Sequence, residues 1–286
     1  MTLAEWAKSV LSKIVASKIQ CADPVLHAKQ ILSHLLGMEM SKVIGAWDDE
    51  IESSQLEPAL SRFLERRLSG EPFQYITGHE WFWNSRFEVG PGVLIPRRDT
   101  EIIVEHTLSL FPANVSIRVA ELGPGSGNIG ISLLQERPSW HWFAIEKNPE
   151  SVPYLERNRA QNLPPSAGYF FIVGDFFEEA AKQAPYDLII SNPPYISTEE
   201  MKTLPLEVQY EPRLALESGA KGLDTIAQLA QQSLNWLAPG GLLVTEIGAF
   251  QEKSVMEIFS HEGYVGPVCI RDYAGLPRVA SGARPK

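Results

Sequence analysis

Cysteine is almost missing from this 286-residue chain, which carries only Cys21 and Cys269. Two thiols so far apart supply neither a disulfide framework nor metal-ligand spacing, and they suit a reducing cytoplasm. Positive charge is also scarce: 25 Lys and Arg stand against 35 Asp and Glu, a formal net charge of −10. Duplex binding rests on many Lys and Arg contacts to phosphate, so direct nucleic-acid binding is not expected. No apolar run approaches the roughly 20 residues of a membrane helix. The first residues include Glu5 and no apolar segment, so no signal peptide is expected and no membrane partner. Repeats and low-complexity runs are absent as well. What remains is an ordinary globular composition with 44% hydrophobic residues, enough for one large or two ordinary domains.

The first third reads as helices. Thr2-Leu3-Ala4-Glu5 has the form of a capping box, and Leu3, Trp6, Val10, Ile14 and Val15 follow at helical spacing. Asp23-Pro24 fits a cap followed by proline at the first helical position, with Val25, Leu26, Ile31, Leu32, Leu35 and Leu36 as the apolar face and Gly37 as the stop. A further helix is expected over residues 57–68. Together these predict an N-terminal helical bundle domain over residues 1–72. His27 and His34 share a face without a carboxylate or Cys partner, which points to structural roles. Residues 73–96 read as a β-hairpin linker, because aromatic and β-branched residues are broken there by Gly, Asn and Ser. Trp81, Phe82 and Trp83 are expected in a core between domains. Asp99 or Thr100 is expected to cap the next helix, and Arg97, Arg98 and Glu101 sit where a linker could close over a ligand.

Residues 97–286 alternate short aliphatic runs with helical segments, the rhythm of a parallel sheet covered by helices. The first strand, 117–122, runs into Gly123-Pro124-Gly125-Ser126-Gly127-Asn128-Ile129-Gly130. Such glycines let the backbone pass close to a ligand and aim a helix N-terminus at it. The same residues fit the dinucleotide pattern G-x-G-x-x-G. Glu146, ending the second strand, suits ribose hydroxyls in either a nicotinamide or an S-adenosylmethionine enzyme. Three features favour S-adenosylmethionine. Glu121, at the end of the first strand, can bind an amino acid's ammonium. Asp175 and Phe176 follow the third strand and suit an adenine amine and ring. The fourth strand ends in Asn192-Pro193-Pro194-Tyr195.

That last stretch is chemically unusual. Each proline locks its own φ, donates no N–H, and pushes the preceding residue into an extended conformation. Stiff backbone carbonyls beside the Asn192 amide and a flat ring suit a planar –NH2 group presented to an electrophile. The plainer reading is a turn that ends a strand. Residues 196–224 form a long connection that could wall a substrate cleft or make a surface excursion. The tail, 264–279, reads as a final hairpin in which Arg271, Asp272 and Arg278 are expected to be solvated. Glu246 is placed to support the linker or the site.

Glu71-Pro72-x-Gln74-Tyr75-Ile76-x-Gly78, Leu94-Ile95-Pro96-Arg97, Glu121-Leu122-Gly123-x-Gly125-Ser126-Gly127, Asn192-Pro193-Pro194-Tyr195, Glu211-Pro212-Arg213-Leu214-Ala215-Leu216 and Glu246-Ile247-Gly248 together resemble the family of protein N(5)-glutamine methyltransferases that modify peptide chain release factors. The resemblance runs over nearly the whole chain. It implies a Rossmann-like class I S-adenosylmethionine-dependent methyltransferase sheet in residues 97–286. It implies methyl transfer from S-adenosyl-L-methionine, leaving S-adenosyl-L-homocysteine, to the glutamine of a release factor's Gly-Gly-Gln motif in the cytoplasm. The cofactor would be held by Glu121, Gly123, Pro124, Gly125, Ser126, Gly127, Glu146, Asp175, Phe176 and Asn192. Substrate would meet Asn192, Pro193, Pro194 and Tyr195, with Asn192, Pro193 and Tyr195 carrying catalysis and no metal. Family members usually have Asp, Thr and Asp where Glu121, Pro124 and Glu146 stand, and often Trp for Phe176; these are mild changes of size. The competing readings are a glutamine methyltransferase of a ribosomal protein, a DNA adenine methyltransferase, which shares the four-residue motif, and a non-enzymatic cofactor-binding partner of translation.

Overall fold

A computed structural model describes residues 1–17 and 23–286; Cys21 lies outside them. The chain forms two compact units, Met1–Gly78 with Pro205–Tyr210, and His79–Leu204 with Glu211–Lys286. Among the described residues no helix is long and apolar enough to cross a membrane.

The first unit holds α1 (Leu3–Val15), α2 (Pro24–Leu36), α3 (Met40–Gly45), α4 (Ser53–Leu68) and α5 (Phe73–Thr77). The capping box closes at both ends: Thr2 N–H donates to Glu5 Oε2 at 2.9 Å and Glu5 N–H to Thr2 Oγ1 at 3.3 Å. Asp23 Oδ1 accepts the Val25 and Leu26 N–H groups at 3.0 and 2.9 Å, and Gly37 ends α2 with φ of 62°, a left-handed conformation that glycine adopts without a Cβ penalty. Leu3, Trp6, Val10, Ile31, Leu32, Leu60, Phe63 and Leu64 make the core. Val15, Val25 and Leu26, expected on apolar faces, are exposed, because they fall at helix ends outside the buried stripe. Helix α4 starts at Ser53, ahead of the expected residue 57, and takes Pro58 within it. Residues 73–77 form helix rather than the opening of the hairpin linker, and they cluster with this unit. His27 is buried and accepts from Arg67 Nε at 3.1 Å. Burial, with the nearby Arg67 charge, pushes its pKa down to about 4, so the imidazole is neutral and structural. The His34 ring packs on Phe63. Arg67 also reaches Glu207 at 2.6 Å, which anchors the Pro205–Tyr210 segment to these helices.

The second unit opens with a hairpin, β1 (His79–Phe82) and β2 (Ser85–Glu88). Strand alternation splits the expected aromatic core. Phe82 is 1% exposed and joins this unit's core, whereas Trp81 is 60% exposed. Trp83 sits in the turn at φ of 53°, held by its N–H on Glu101 Oε1 and its Nε1 on Glu136 Oε1, both at 2.9 Å. A tight turn, Arg98–Thr100, leads into α6 (Glu101–Leu110). Neither Asp99 nor Thr100 caps it by a side-chain hydrogen bond; the Thr100 side chain is buried and engaged elsewhere.

There follow β3 (Arg118–Leu122), α7 (Asn128–Glu136), β4 (His141–Glu146), α8 (Val152–Asn162), β5 (Tyr169–Val173), α9 (Phe176–Gln183) and β6 (Tyr186–Ser191). After α10 (Leu206–Gln209), which belongs to the first unit, come α11 (Asp224–Trp236), β7 (Leu237–Glu246), α12 (Glu252–Glu262), β8 (Val265–Arg271) and β9 (Pro277–Ala283). The seven strands lie in the order β5-β4-β3-β6-β7-β9-β8. β3 to β7 run parallel, and β9 is antiparallel to both of its neighbours. The tail is thus two strands of the main sheet. Val119, Ala120, Leu188, Ile189 and Ile190 are fully buried, as central parallel strands covered on both faces must be. Helices α6, α7 and α8 cover one face, and α9, α11 and α12 the other. Strand order reverses between β3 and β6, and the carboxyl edge at such a reversal is where open α/β sheets bind ligands.

Candidate active site

A cleft of about 1150 Å³, open solvent at its mouth included, lies at that reversal. Gly123, Pro124, Gly125, Ser126, Glu146, Phe176, Asn192, Pro193 and Pro194 all line it.

The glycine loop turns through left-handed conformations at Gly123, Gly125 and Gly127, with φ of 73°, 55° and 82°. Only glycine takes these readily. A Cβ on Gly127 would stand 2.6 Å from Leu155 and 2.9 Å from Ile131, so the loop is pressed against α7 and α8 as well as twisted. Gly127 caps α7 without a side-chain hydrogen bond. Glu146, 4% exposed, closes the loop from β4: it accepts Gly125 N–H at 2.8 Å and Asn148 N–H at 2.7 Å. Burial raises its pKa, against the pull of those two N–H groups. Phe176 covers the loop, 3.4 Å from where a Gly123 Cβ would sit.

Three expected site residues are held away from the cleft wall. Glu121 lies on the β3 face that packs against α7, because alternate strand residues leave on opposite faces. Its Oε2 accepts Trp142 Nε1 at 2.8 Å, and its Oε1 is buried without a partner among the described residues. Burial pushes its carboxyl up to about 8. Asp175 works as the N-cap of α9, accepting Phe177 N–H at 2.9 Å, and pairs with Lys147 at 2.9 Å; the Lys147 hydrogen bond draws its carboxyl below the usual range. Lys147 itself lines the cleft. Tyr195, expected against the acceptor's plane, instead turns its hydroxyl to Glu246 Oε1 at 3.1 Å. The Glu246 charge, then burial, raises the phenol's pKa.

The tip of β6 is fixed from behind. Ser191 Oγ donates to Leu122 O at 2.7 Å, tying β6 to β3. Gln251 Nε2 donates to Tyr195 O at 2.9 Å and to Gly222 O at 3.1 Å. Asn192 Nδ2 points to Thr100 Oγ1, at a long 3.4 Å. Both Asn192 and Thr100 line the cleft.

The opposite wall comes from the linker and from the long connection after β6, both of which the sequence offered as possible covers of a ligand. Val93, Leu94, Ile95, Pro96 and Arg97 line the cleft, as do Pro212, Leu214, Ala215, Glu217, Thr225 and Gln228. The long connection therefore contributes a wall. Buried Glu211 joins the two stretches, accepting Ile95 N–H at 2.9 Å and pairing with Arg97. Of the linker charges, Arg97 lines the cleft, while Glu101 is spent on the Trp83 N–H and Arg98 is not on the wall. Asp272 and Arg278, expected to be solvated, are largely buried and paired with each other at 3.0 Å, and Arg278 also meets Asp99 at 3.1 Å. Asn148 and Gln251 gave no signal of their own in the sequence, and Thr100 only that of a helix cap.

A seven-stranded sheet with one antiparallel strand near its edge, and a glycine-lined cleft at its reversal point, define the S-adenosylmethionine-dependent methyltransferase fold. The chain is similar to the catalytic domain of hMettl16, with TM-score 0.56 and 14% identity over 68% of this chain and 74% of that one. A methyltransferase from Pyrococcus furiosus gives TM-score 0.50 and 15% identity over 80% of this chain and all of that one. At such identities the likeness is of fold alone. Residues 3–78 match the family described as PrmC N-terminal domain, and residues 99–209 the methyltransferase small domain. The chain is 34% identical to the release factor glutamine methyltransferase of Caulobacter vibrioides, over 92% of this chain and 90% of that protein. It is 32% identical to that of Escherichia coli, over 99% of both. The chain belongs to the release factor glutamine methyltransferase family, and it is an enzyme.

Proposed function

We propose that the protein transfers a methyl group from S-adenosyl-L-methionine to the side-chain amide nitrogen of the glutamine in the Gly-Gly-Gln motif of peptide chain release factors. The observation that carries this reading is the juxtaposition of two loops in one cleft: the glycine loop after β3, and the Asn192-Pro193-Pro194 tip after β6. The chain's relatives bear the corresponding name over nearly their full length. The two cysteines of the chain fit a cytoplasmic enzyme.

The residues present fit the cofactor. Gly123 and Gly125 leave open the space that side chains would fill, and the uncapped α7 N-terminus and Ser126 face the same cleft. Glu146 keeps a carboxylate there for ribose hydroxyls, and Phe176 offers a ring to an adenine face. Bound there, S-adenosylmethionine supplies a methyl group on a positively charged sulfur, with a thioether as leaving group. The protein must do the rest. An amide nitrogen is a poor nucleophile because its lone pair is shared with the carbonyl. Asn192 Oδ1 and the Pro193 carbonyl accept the two amide hydrogens and so set the plane of the acceptor. Pro193 and Pro194 cannot relax toward a hydrogen-bonded turn, since neither has an N–H. Rate is then gained from orientation and fixed dipoles. The displaced amide proton leaves to solvent. Glu121, Asp175 and Tyr195 act from behind the wall: Glu121 steadies β3 against Trp142, Asp175 holds α9 and hence Phe176, and Tyr195 braces the tip.

The test is direct. The protein is incubated with methyl-labelled S-adenosylmethionine and, separately, with a release factor, ribosomal protein and DNA. Label on the Gly-Gly-Gln glutamine supports the reading. Label confined to ribosomal protein or DNA, or none on any of the three, rejects it.

A further inference from the structure

We propose that Glu246 is a positioning residue for methyl transfer: one buried carboxyl that braces both ends of the Asn192–Tyr195 tip, Tyr195 by direct contact and Asn192 through Thr100. The proposal rests on the glutamine-transfer reading above.

Glu246 is the last residue of β7, the strand beside β6, and it is 1% exposed. It accepts the Tyr195 hydroxyl at 3.1 Å on Oε1. Thr100, also 1% exposed, lies near the same carboxyl and draws its pKa down without a closed hydrogen bond, and its hydroxyl receives Asn192 Nδ2 at 3.4 Å. Between these ends the tip is already stiff, since Pro193 and Pro194 are locked and Gln251 holds the Tyr195 carbonyl. The remaining freedoms are rotation of the Asn192 amide and swing of the Tyr195 ring. Glu246 bears on Tyr195 directly and lies near Thr100, the partner of Asn192.

A carboxyl in such a place is a poor choice for stability alone. Its Oε2 is buried with no closed hydrogen bond among the described residues, and burying an incompletely satisfied acid is costly. Strand β7 could end in an apolar residue without that penalty. The groups that face it are Tyr195, Thr100 and Asp99 from the turn before α6, and Arg278 from β9. Arg278 is shared with Asp99 and Asp272, so it does not fully neutralise Glu246. Burial pushes the carboxyl up to about 7, against the pull of Thr100, Arg278 and Tyr195.

The experiment uses the full-length enzyme, labelled S-adenosylmethionine and a release factor. Glu246→Gln, Tyr195→Phe and the double variant are compared for kcat, for KM toward the release factor, and for S-adenosylhomocysteine affinity. Each single change is expected to lower kcat roughly tenfold or more with KM and affinity within about threefold, and the double change to be no more than about threefold worse than the poorer single, as for residues acting as one unit. Wild-type kcat is expected to fall as pH drops below neutral, and Glu246→Gln to lose that inflection. Unchanged kcat in both single variants, or losses that multiply in the double, overturns the proposal while leaving the substrate reading intact. Tyr195→Phe, which removes one hydroxyl, carries the kinetic test if Glu246→Gln does not fold: an unchanged kcat there is equally fatal. A wild-type enzyme that leaves the release factor unlabelled overturns both.

Discussion

The loops that leave β3 and β6 are neighbours on the sheet and opposites in chemistry. The first has three glycines at positive φ and presents backbone that can approach a ligand closely, at the open end of α7. The second has two consecutive prolines after Asn192 and presents carbonyl oxygens with fewer local donors to pair with. One loop is made of residues with the most backbone freedom and is pressed into shape from outside, by Leu155, Ile131 and Glu146. The other is made of residues with the least and needs support only at its ends, by Thr100, Gln251 and Glu246. The difference teaches how a single cleft separates two tasks. Holding a donor calls for close backbone approach; aiming an acceptor calls for rigidity.

Substitutions can break that comparison loop by loop. Asn192→Ala is expected to lower kcat roughly 100-fold or more, the scale of removing a fixed dipole from a reacting centre, while S-adenosylhomocysteine affinity by calorimetry stays within about threefold. A comparable loss of affinity would mean that the two loops do not divide the work. Gly127→Ala should do the reverse. With a left-handed backbone and a Cβ 2.6 Å from Leu155, it is expected to lose about 2–4 kcal/mol of stability by denaturant titration and to bind S-adenosylhomocysteine weakly at any temperature where it remains folded.

The end of β3 sharpens the comparison through pH. The Glu121 carboxyl is raised by burial from 4.5 to about 8. A raised acid favours folding at low pH and loses that contribution as pH climbs from its unfolded value through its folded one. Wild-type melting temperature should therefore fall between about pH 4.5 and 8 more steeply than that of Glu121→Gln, the two curves converging or crossing at the alkaline end. Parallel curves would show that Glu121 ionises freely. The smallest effect is expected at Asp175→Ala, which removes the α9 cap at a cost of about 1 kcal/mol. A loss of S-adenosylhomocysteine affinity beyond about tenfold there would show that Asp175 reaches past α9 to the cofactor.

Much of this was legible in the sequence. The cap residues Thr2, Glu5 and Asp23, the four aliphatic strands leading to the site and the glycine loop are local signals, and local chemistry decides them. What was not legible is what depends on direction. The side of β3 from which Glu121 leaves, the turn of the Tyr195 phenol toward Glu246 and the exposure of Trp81 follow from strand parity and from partners up to 51 residues away. For the opposite cleft wall the sequence offered its two segments but not the contact that joins them. Arg97 and Glu211 are 114 residues apart, and neither carries a pattern that announces the other. Threonine before a helix usually caps it, but the Thr100 hydroxyl meets the Asn192 side chain instead.

The place of β9 has a consequence for synthesis. It is the last strand in chain order, yet it lies inside the sheet, flanked by β7 and β8. A nascent polypeptide that has not yet emitted residues 277–283 leaves both flanking strands with bare edges, open to mispairing with another chain. Closure of the sheet thus waits for this strand, and truncations that remove this segment should yield aggregates rather than a smaller working enzyme.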